Sequence, residues 1–259
     1  MNKVFLSVGH GGNDSGAIGV NKIKEKDYTL LLCKEISKKL AEQNIEHELS
    51  RTTDKNNTQK MKLTSIEKYK PTIAIDVHFN AYNEKATGTE CYYQRNNSKG
   101  EALAKNLSRV VSSEIGIANR GAKIKLLSDG RDWFGMLRNC KICPIVLLEV
   151  CFLDNKNDMA KCIASNVATA ITKCICAALD MNYLEPIKKD TNIMHVAPRV
   201  GLWLHNSNQR WNKKTKIICM DYNSSVDVYK GTEKRLGKYT CVKVKYGKYI
   251  GYCAKEYLK

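Results

Sequence analysis

KVFLSVGHGGNDSGAIG, residues 3–19, decides the fold. Residues 3–8 are an apolar, partly β-branched run that reads as a buried strand. The strand runs straight into a glycine-rich turn, GHGGNDSGAIG, with His10 at its start. Glycines there let the backbone turn tightly and approach a ligand closely.

Outward from this stretch, strands and helices alternate. A helix is expected from about Asp27 to Gln43, with Leu31, Ile36 and Leu40 on its apolar side. IEHELSRT (45–52) alternates like a strand, and Thr58–Tyr69 reads as a short helix ended by Pro71. TIAIDVHFNA (72–81) has the β-branched run of a central strand. GTECYYQR (88–95) is another strand, and Ser98 is placed to cap a helix reaching Ile115. PIVLLEVCFLDN (144–155) is a second core strand, and 156–179 is expected to be the last helix. This order predicts an α/β fold with a mixed, mainly parallel twisted sheet flanked by helices.

The pattern changes after residue 182. Residues 183–198 contain EPIKKDTNIMHVAP, with two prolines and no periodicity, and read as a linker. Residues 199–259 carry short strand-like runs, KIICMDY, VDVYKG and KYTCVKVKYGKYIGYCAKEYL, and predict a small all-β domain. The division expected is therefore 1–182, a linker 183–198, and 199–259.

Four chemistry-bearing residues stand at the ends of elements in the larger part. His10 follows KVFLSVG and His78 follows IAIDV. Glu25 precedes the first helix, and Glu149 ends the apolar PIVLLE. Residues just past the carboxyl ends of strands gather at one edge of an α/β sheet. Two histidines and a glutamate make a three-ligand zinc set with one position open for water. A further, unliganded glutamate can serve as general base on that water. Taken singly, each residue also has an ordinary reading: a turn histidine, a charge at a solvated helix start, a paired core carboxylate. Their joint placement favours the site.

SVGHGGNDSGAIG, EKDYTLLL, DVHFNA and LRNC followed by CPIVLLEVCFLDN resemble, in order and approximate spacing, the zinc-dependent N-acetylmuramoyl-L-alanine amidases of the Amidase_3 type. The resemblance covers roughly residues 2–180. It implies His10, Glu25 and His78 as zinc ligands and Glu149 as the catalytic carboxylate. The bond cut would be the amide joining N-acetylmuramic acid to L-alanine of the peptidoglycan stem peptide. Asn80, Asp14 and Arg138 are the substrate-side candidates: Asn80 for a hydrogen bond to substrate or the metal's edge, Asp14 chiefly as a brace for the His10 loop, Arg138 for an anionic stem peptide or a surface ion pair. Where relatives usually have glycine two residues after this glutamate, the chain has Cys151, which questions the turn there and whether the thiol packs beside the site. The closing YTCVKVKYGKYIGYCAKEYLK resembles bacterial SH3-like modules, which implies cell-wall binding, with Tyr222, Tyr229, Tyr246 and Trp211 available for stacking.

Charge agrees with that destination. Forty-three Lys and Arg against 26 Asp and Glu give +17, and from residue 190 onward 14 basic residues face five acidic ones. Such a field attracts anionic cell-wall polymers. No RRM, KH, helix-turn-helix or zinc-finger signature accompanies it, so nucleic acid is not the expected partner. No apolar run approaches the ~18–20 residues that span a bilayer, so membrane insertion is not expected. The opening MNKVFLSVG enters a strand with no secretory signal. The expectation is a phage endolysin-like enzyme, made in the cytoplasm and acting on the wall once the membrane is permeabilised. A sporulation or autolytic amidase, or a non-catalytic wall binder, are the alternatives. Eleven scattered cysteines, mostly inside apolar runs, read as buried free thiols rather than a disulfide framework, with Cys140 and Cys143 a lone CxxC. The oligomeric state is left open.

Overall fold

The computed structural model describes residues 2–185, 191–247 and 249–259. The chain divides into two compact units, at residues 184 and 185.

The N-terminal unit is built on a six-stranded mixed sheet. Its elements are β1 (Lys3–Val8), α1 (Glu25–Glu42), β2 (Glu46–Leu49), α2 (Gln59–Tyr69), β3 (Ile73–Asn80), β4 (Thr89–Tyr93), α3 (Ser98–Ile115), β5 (Asn119–Lys123), α4 (Gly135–Asn139), β6 (Ile145–Phe152), α5 (Lys156–Lys161) and α6 (Ala164–Ala178). The strand order is β2-β1-β3-β6-β4-β5. β2, β1, β3 and β6 are mutually parallel. β4 runs antiparallel to β6, and β5 parallel to β4. The fold class expected from the sequence is the one observed.

The period-two alternation of the strands separates two layers. Val4, Leu6, Val8, Ile75, Val77, Leu148 and Val150 pack against α1, α3 and α6 in the larger core. Phe5, Ala74, Ile145 and Leu147 face the smaller core with Ile66 of α2 and Met136 and Leu137 of α4. On this second face the strands also carry Ser7, Asp76, His78 and Glu149, the last two as register partners. The thin two-helix cover leaves the upper part of that face open for a site.

Several boundaries differ from the sequence reading. α1 starts at Glu25, so this carboxylate sits in the helix's first turn. The α3 cap is Asn97, whose side chain accepts from the Gly100 N–H, and Ser98 is the first helical residue. The expected helix 156–179 is two helices. The Cys162 carbonyl is taken by the Tyr28 hydroxyl at 2.8 Å, and Cys162 itself has non-helical dihedrals. β5 and α4 are too short to show periodicity and were not anticipated.

The C-terminal unit is a seven-stranded antiparallel sheet: β7 (Thr191–His195), β8 (Leu202–His205), β9 (Lys216–Met220), β10 (Ser225–Tyr229), β11 (Lys234–Leu236), β12 (Tyr239–Tyr246) and β13 (Tyr249–Ala254). The strands run β7-β10-β12-β13-β8-β9, with β11 against β12. β7 corrects the linker reading of 183–198, since it pairs with β10 over five residues. Its alternation fails to register because it is a short edge strand, with Ile193 exposed. Part of the expected linker, residues 186–190, lies outside the described residues. The core is Val196, Leu204, Met220, Val226, Val228, Val242, Val244, Cys253 and Leu258.

Candidate functional site

The His10 turn is held from below by a buried arginine. Arg51, 1% exposed, donates from Nε to the His10 carbonyl at 2.9 Å and from Nη2 to the Gly9 carbonyl at 3.0 Å. Its Nη2 also reaches the carbonyl of Lys26. His10 adopts φ 56°, a left-handed conformation uncommon for a residue with a Cβ. Gly16 is needed opposite. Its φ is +62°, and a Cβ there would lie 2.6 Å from both Glu25 Oε2 and the His10 ring.

Glu25 enters between the two imidazoles. His10 Nε2 stands 3.0 Å from Glu25 Oε2, and His78 Nδ1 stands 3.0 Å from Glu25 Oε1. The histidine rings meet edge-to-face with centroids 4.8 Å apart. The outer ring nitrogens have acidic partners of their own. His10 Nδ1 is 2.8 Å from Asp14 Oδ2, and His78 Nε2 is 3.5 Å from Asp76 Oδ2.

Burial opposes the charged form of all these groups, but their mutual pairing outweighs it. His78 is pushed up to about 10 by Asp76 and Glu25. His10 is raised by Glu25 and Asp14. Glu25 is held below the usual carboxylate range by both histidines, and Asp76 by Lys62 and His78. Glu149 moves the other way. Burial, reinforced by Glu25, Glu90 and Asp76 against the opposing pull of His78, raises it to about 7. Its Oε2 is shut off from solvent without a hydrogen-bond partner. An acid poised near neutrality, with a free oxygen, suits proton transfer.

His10, Asp14, Glu25, His78 and Glu149 line one cavity of about 440 Å³, together with Lys62 and Asp76 and the α4 entry at Phe134, Gly135 and Met136. The donor set suits a small divalent cation. Two imidazole nitrogens and a carboxylate oxygen lie within 4.8 Å of one another, and both imidazoles have carboxylates on their far side. Among the described residues no other cluster of three or more His, Cys, Asp or Glu converges in this way. A larger cavity, about 890 Å³, lies along segments 18–22, 83–85 and 154–157 and is lined by none of the four principal residues.

Two substrate-side candidates are occupied elsewhere. Asn80 lies past a register shift in β3, and its Nδ2 donates to Glu90 Oε1 at 2.9 Å. Arg138 Nη1 donates to the carbonyls of Asp132 and Trp133, at 2.8 and 2.7 Å, and so braces the loop before α4. Neither lines the 440 Å³ cavity; Asp14 does, with its Oδ2 2.8 Å from His10 Nδ1. Cys151 is fully buried inside β6, with its Sγ 4.0 Å from Met159 Sδ. The strand simply continues past Glu149, so no tight turn is required there. All eleven cysteines are free, and ten are buried.

The stacking residues expected in the C-terminal unit separate. Tyr229 is buried, and Trp211 stacks on His205 at 4.9 Å and donates its indole N–H to the Ser207 carbonyl. Tyr246 is partly buried, its hydroxyl donating to Asp221. Tyr222 is exposed, with Lys259 over its ring.

Sequence reasoning missed Arg51, Lys62 and Asp76. Asp76 had a signal, a lone acid in the apolar run TIAIDV, and the other two had none beyond their charge.

Known proteins agree with this architecture. The chain is 28% identical to the uncharacterized protein YqiI of Bacillus subtilis (strain 168), over 70% of its own length and 84% of that protein. It is 29% identical to the N-acetylmuramoyl-L-alanine amidase LytC of the same organism, over 61% of this chain but 31% of LytC. Among solved structures, the catalytic domain of CwlV, an N-acetylmuramoyl-L-alanine amidase from Bacillus (Paenibacillus) polymyxa var. colistinus, is matched in full by 70% of this chain, with 28% identity and a TM-score of 0.63. The profile of the Amidase_3 family, N-acetylmuramoyl-L-alanine amidase, matches residues 4–181, and the chain belongs to that family.

Proposed function

We propose that the chain is a zinc-dependent peptidoglycan hydrolase that cuts the amide between N-acetylmuramic acid and L-alanine of the stem peptide. The observation that carries this reading is the single cavity in which the His10–Glu25–His78 donor set meets Glu149, a carboxyl raised to about 7 with one oxygen unpartnered. His10 Nε2, His78 Nδ1 and a Glu25 oxygen would hold the ion. When bound, zinc supplies Lewis acidity, polarising the scissile carbonyl and acidifying water at the site.

The chain's own residues do the remainder. Glu149 accepts a proton from the attacking water through its free oxygen. It then delivers that proton to the departing L-alanine nitrogen, which leaves as an amine. Asp14 and Asp76 keep the imidazoles turned inward. Phe134 and Met136 supply an apolar part of the cavity wall.

The proposal extends to the C-terminal unit as an SH3-like wall-binding module. Its antiparallel sheet and its 14 basic against five acidic residues from 190 onward support attraction to anionic wall polymers. The biological role we favour is that of a phage-type endolysin.

The test is the identity of the new ends in digested peptidoglycan, with zinc content measured on the same preparation. Free L-alanine amines and about one zinc per chain are expected. New reducing sugars, or hydrolysis indifferent to zinc removal, would overturn the reading. Expression alongside a membrane-permeabilising protein tests the lysin role, since host lysis should require both.

A further inference from the structure

A buried ion pair lies beneath the proposed zinc site. Asp76 is 1% exposed and Lys62 5% exposed, with Lys62 Nζ 3.3 Å from Asp76 Oδ1. Ser7, the register partner of Asp76 on β1, donates its hydroxyl to the same oxygen. Oδ1 is thus engaged twice, while Oδ2 faces His78 Nε2. Asp76 precedes His78 by two residues on β3, so both side chains project from the same face. Stability alone gives little reason for such a pair, because desolvating two charges offsets most of their attraction. The next position along the same row, Leu147 on β6, shows that this level of the face accepts an apolar side chain.

The two imidazoles are also turned oppositely. His10 presents Nε2 to Glu25 and gives Nδ1 to Asp14, whereas His78 presents Nδ1 to Glu25 and gives Nε2 to Asp76. An imidazole that donates a proton from one nitrogen offers its lone pair from the other. Asp14 is an exposed loop residue four positions from its histidine, while Asp76 is fixed in a central strand and locked by two further groups.

We propose that Asp76, anchored by Lys62 and Ser7, is a positioning residue that fixes His78 in the tautomer presenting Nδ1 to the metal. This rests on the zinc reading above. Lys62 and Ser7 contribute by keeping Oδ1 occupied, so that Oδ2 alone faces the ring. The consequence is an asymmetric donor pair, Nε2 from His10 and Nδ1 from His78.

The experiment uses the full chain with its histidines labelled with nitrogen-15 and loaded with zinc. Nitrogen chemical shifts and long-range couplings should show His78 metal-bound through Nδ1 with its proton on Nε2, and His10 the reverse. Asp76→Asn, checked for folding by circular dichroism, should bind zinc 10–100-fold more weakly in a chelator competition. Lys62→Met should weaken zinc binding in the same direction. Zinc held through His78 Nε2 would overturn the positioning role while leaving the metal site intact, as would unchanged affinity in folded Asp76→Asn. A wild-type chain that takes up no zinc would remove both readings together. The nitrogen measurement needs no substitution, so it decides the matter even if Asp76→Asn fails to fold.

Discussion

Glu149→Gln should make the protein less active and, at neutral pH, more stable. The substitution keeps shape and polarity but removes the proton acceptor. General-base catalysis contributes typically 10²–10⁴-fold, so hydrolysis should fall by that factor, about 3–5 kcal/mol of barrier. The stability change follows from the raised carboxyl. In the unfolded chain Glu149 titrates near its ordinary 4.5, and in the folded, metal-free protein near 7. Between these values the folded state holds the proton that the unfolded state has released. Stability contributed by this group is therefore fully present below about 4.5 and declines as pH rises to about 7. At about 1.4 kcal/mol per pH unit the total is roughly 3 kcal/mol, an upper bound because the residue is only partly buried. Glutamine is neutral throughout and escapes this decline. Urea unfolding of the two chelator-treated proteins should nearly coincide at pH 5 and separate in favour of the variant at pH 8. Amine release from peptidoglycan should be lost in the same preparation. A variant with normal hydrolysis would refute Glu149 as the base. A variant no more stable at pH 8 than at pH 5, relative to wild type, would refute the desolvated carboxyl.

Further substitutions test the frame around it. His78→Ala should lose both zinc and hydrolysis, read by metal analysis and amine release, whereas Glu149→Gln should keep zinc. Arg51→Met strands buried carbonyls at Gly9, His10 and Lys26 and should cost about 2–4 kcal/mol in urea unfolding. It should also weaken zinc binding, although Arg51 is no ligand. Gly16→Ala puts a Cβ against Glu25 and His10 at a positive φ, and should reduce zinc affinity more than it reduces the melting temperature. Binding of the full chain to purified walls should fall steadily as salt is raised from 50 to 500 mM; salt-independent binding would remove the electrostatic account.

What the sequence disclosed and what it hid follow one physical division. His10, His78 and Glu149 are legible because each interrupts or follows an apolar, strand-like run, whereas Glu25, among the charges of KIKEKD, is marked only by its place at the start of a helix. The alternation of strands and helices is likewise local, and it yields the mixed sheet and its helical cover. β9, β10, β12 and β13 show the same way, whereas β8 and β11 are too short to show a pattern and β7, a short edge strand, gives too little alternation to register. Contacts between distant segments have no such signature. Arg51 ends EHELSR and looks like surface charge, yet β2 lies beside β1 and turns its guanidinium under the His10 loop. Lys62 is one of three lysines on α2, and only the packing of that helix over β1 and β3 sets it on Asp76.

Asp76 is the instructive case, because it did break a pattern. TIAIDVHFNA carries one acid in a central strand, and the cost of burying it demands a partner. The same logic that singles out Glu149 in PIVLLE applies here with equal force. What differs is the pairing. Asp76 is satisfied by Lys62, Ser7 and His78 and so stays ionised. Glu149 has an oxygen with no partner and takes up a proton near neutrality. Two acids on one face of adjacent strands would thus take opposite tasks in the proposed mechanism, one holding a histidine still and the other moving a proton. Both acids interrupt an apolar run in the sequence, but the difference between them is made by Lys62 and Ser7, which reach only Asp76.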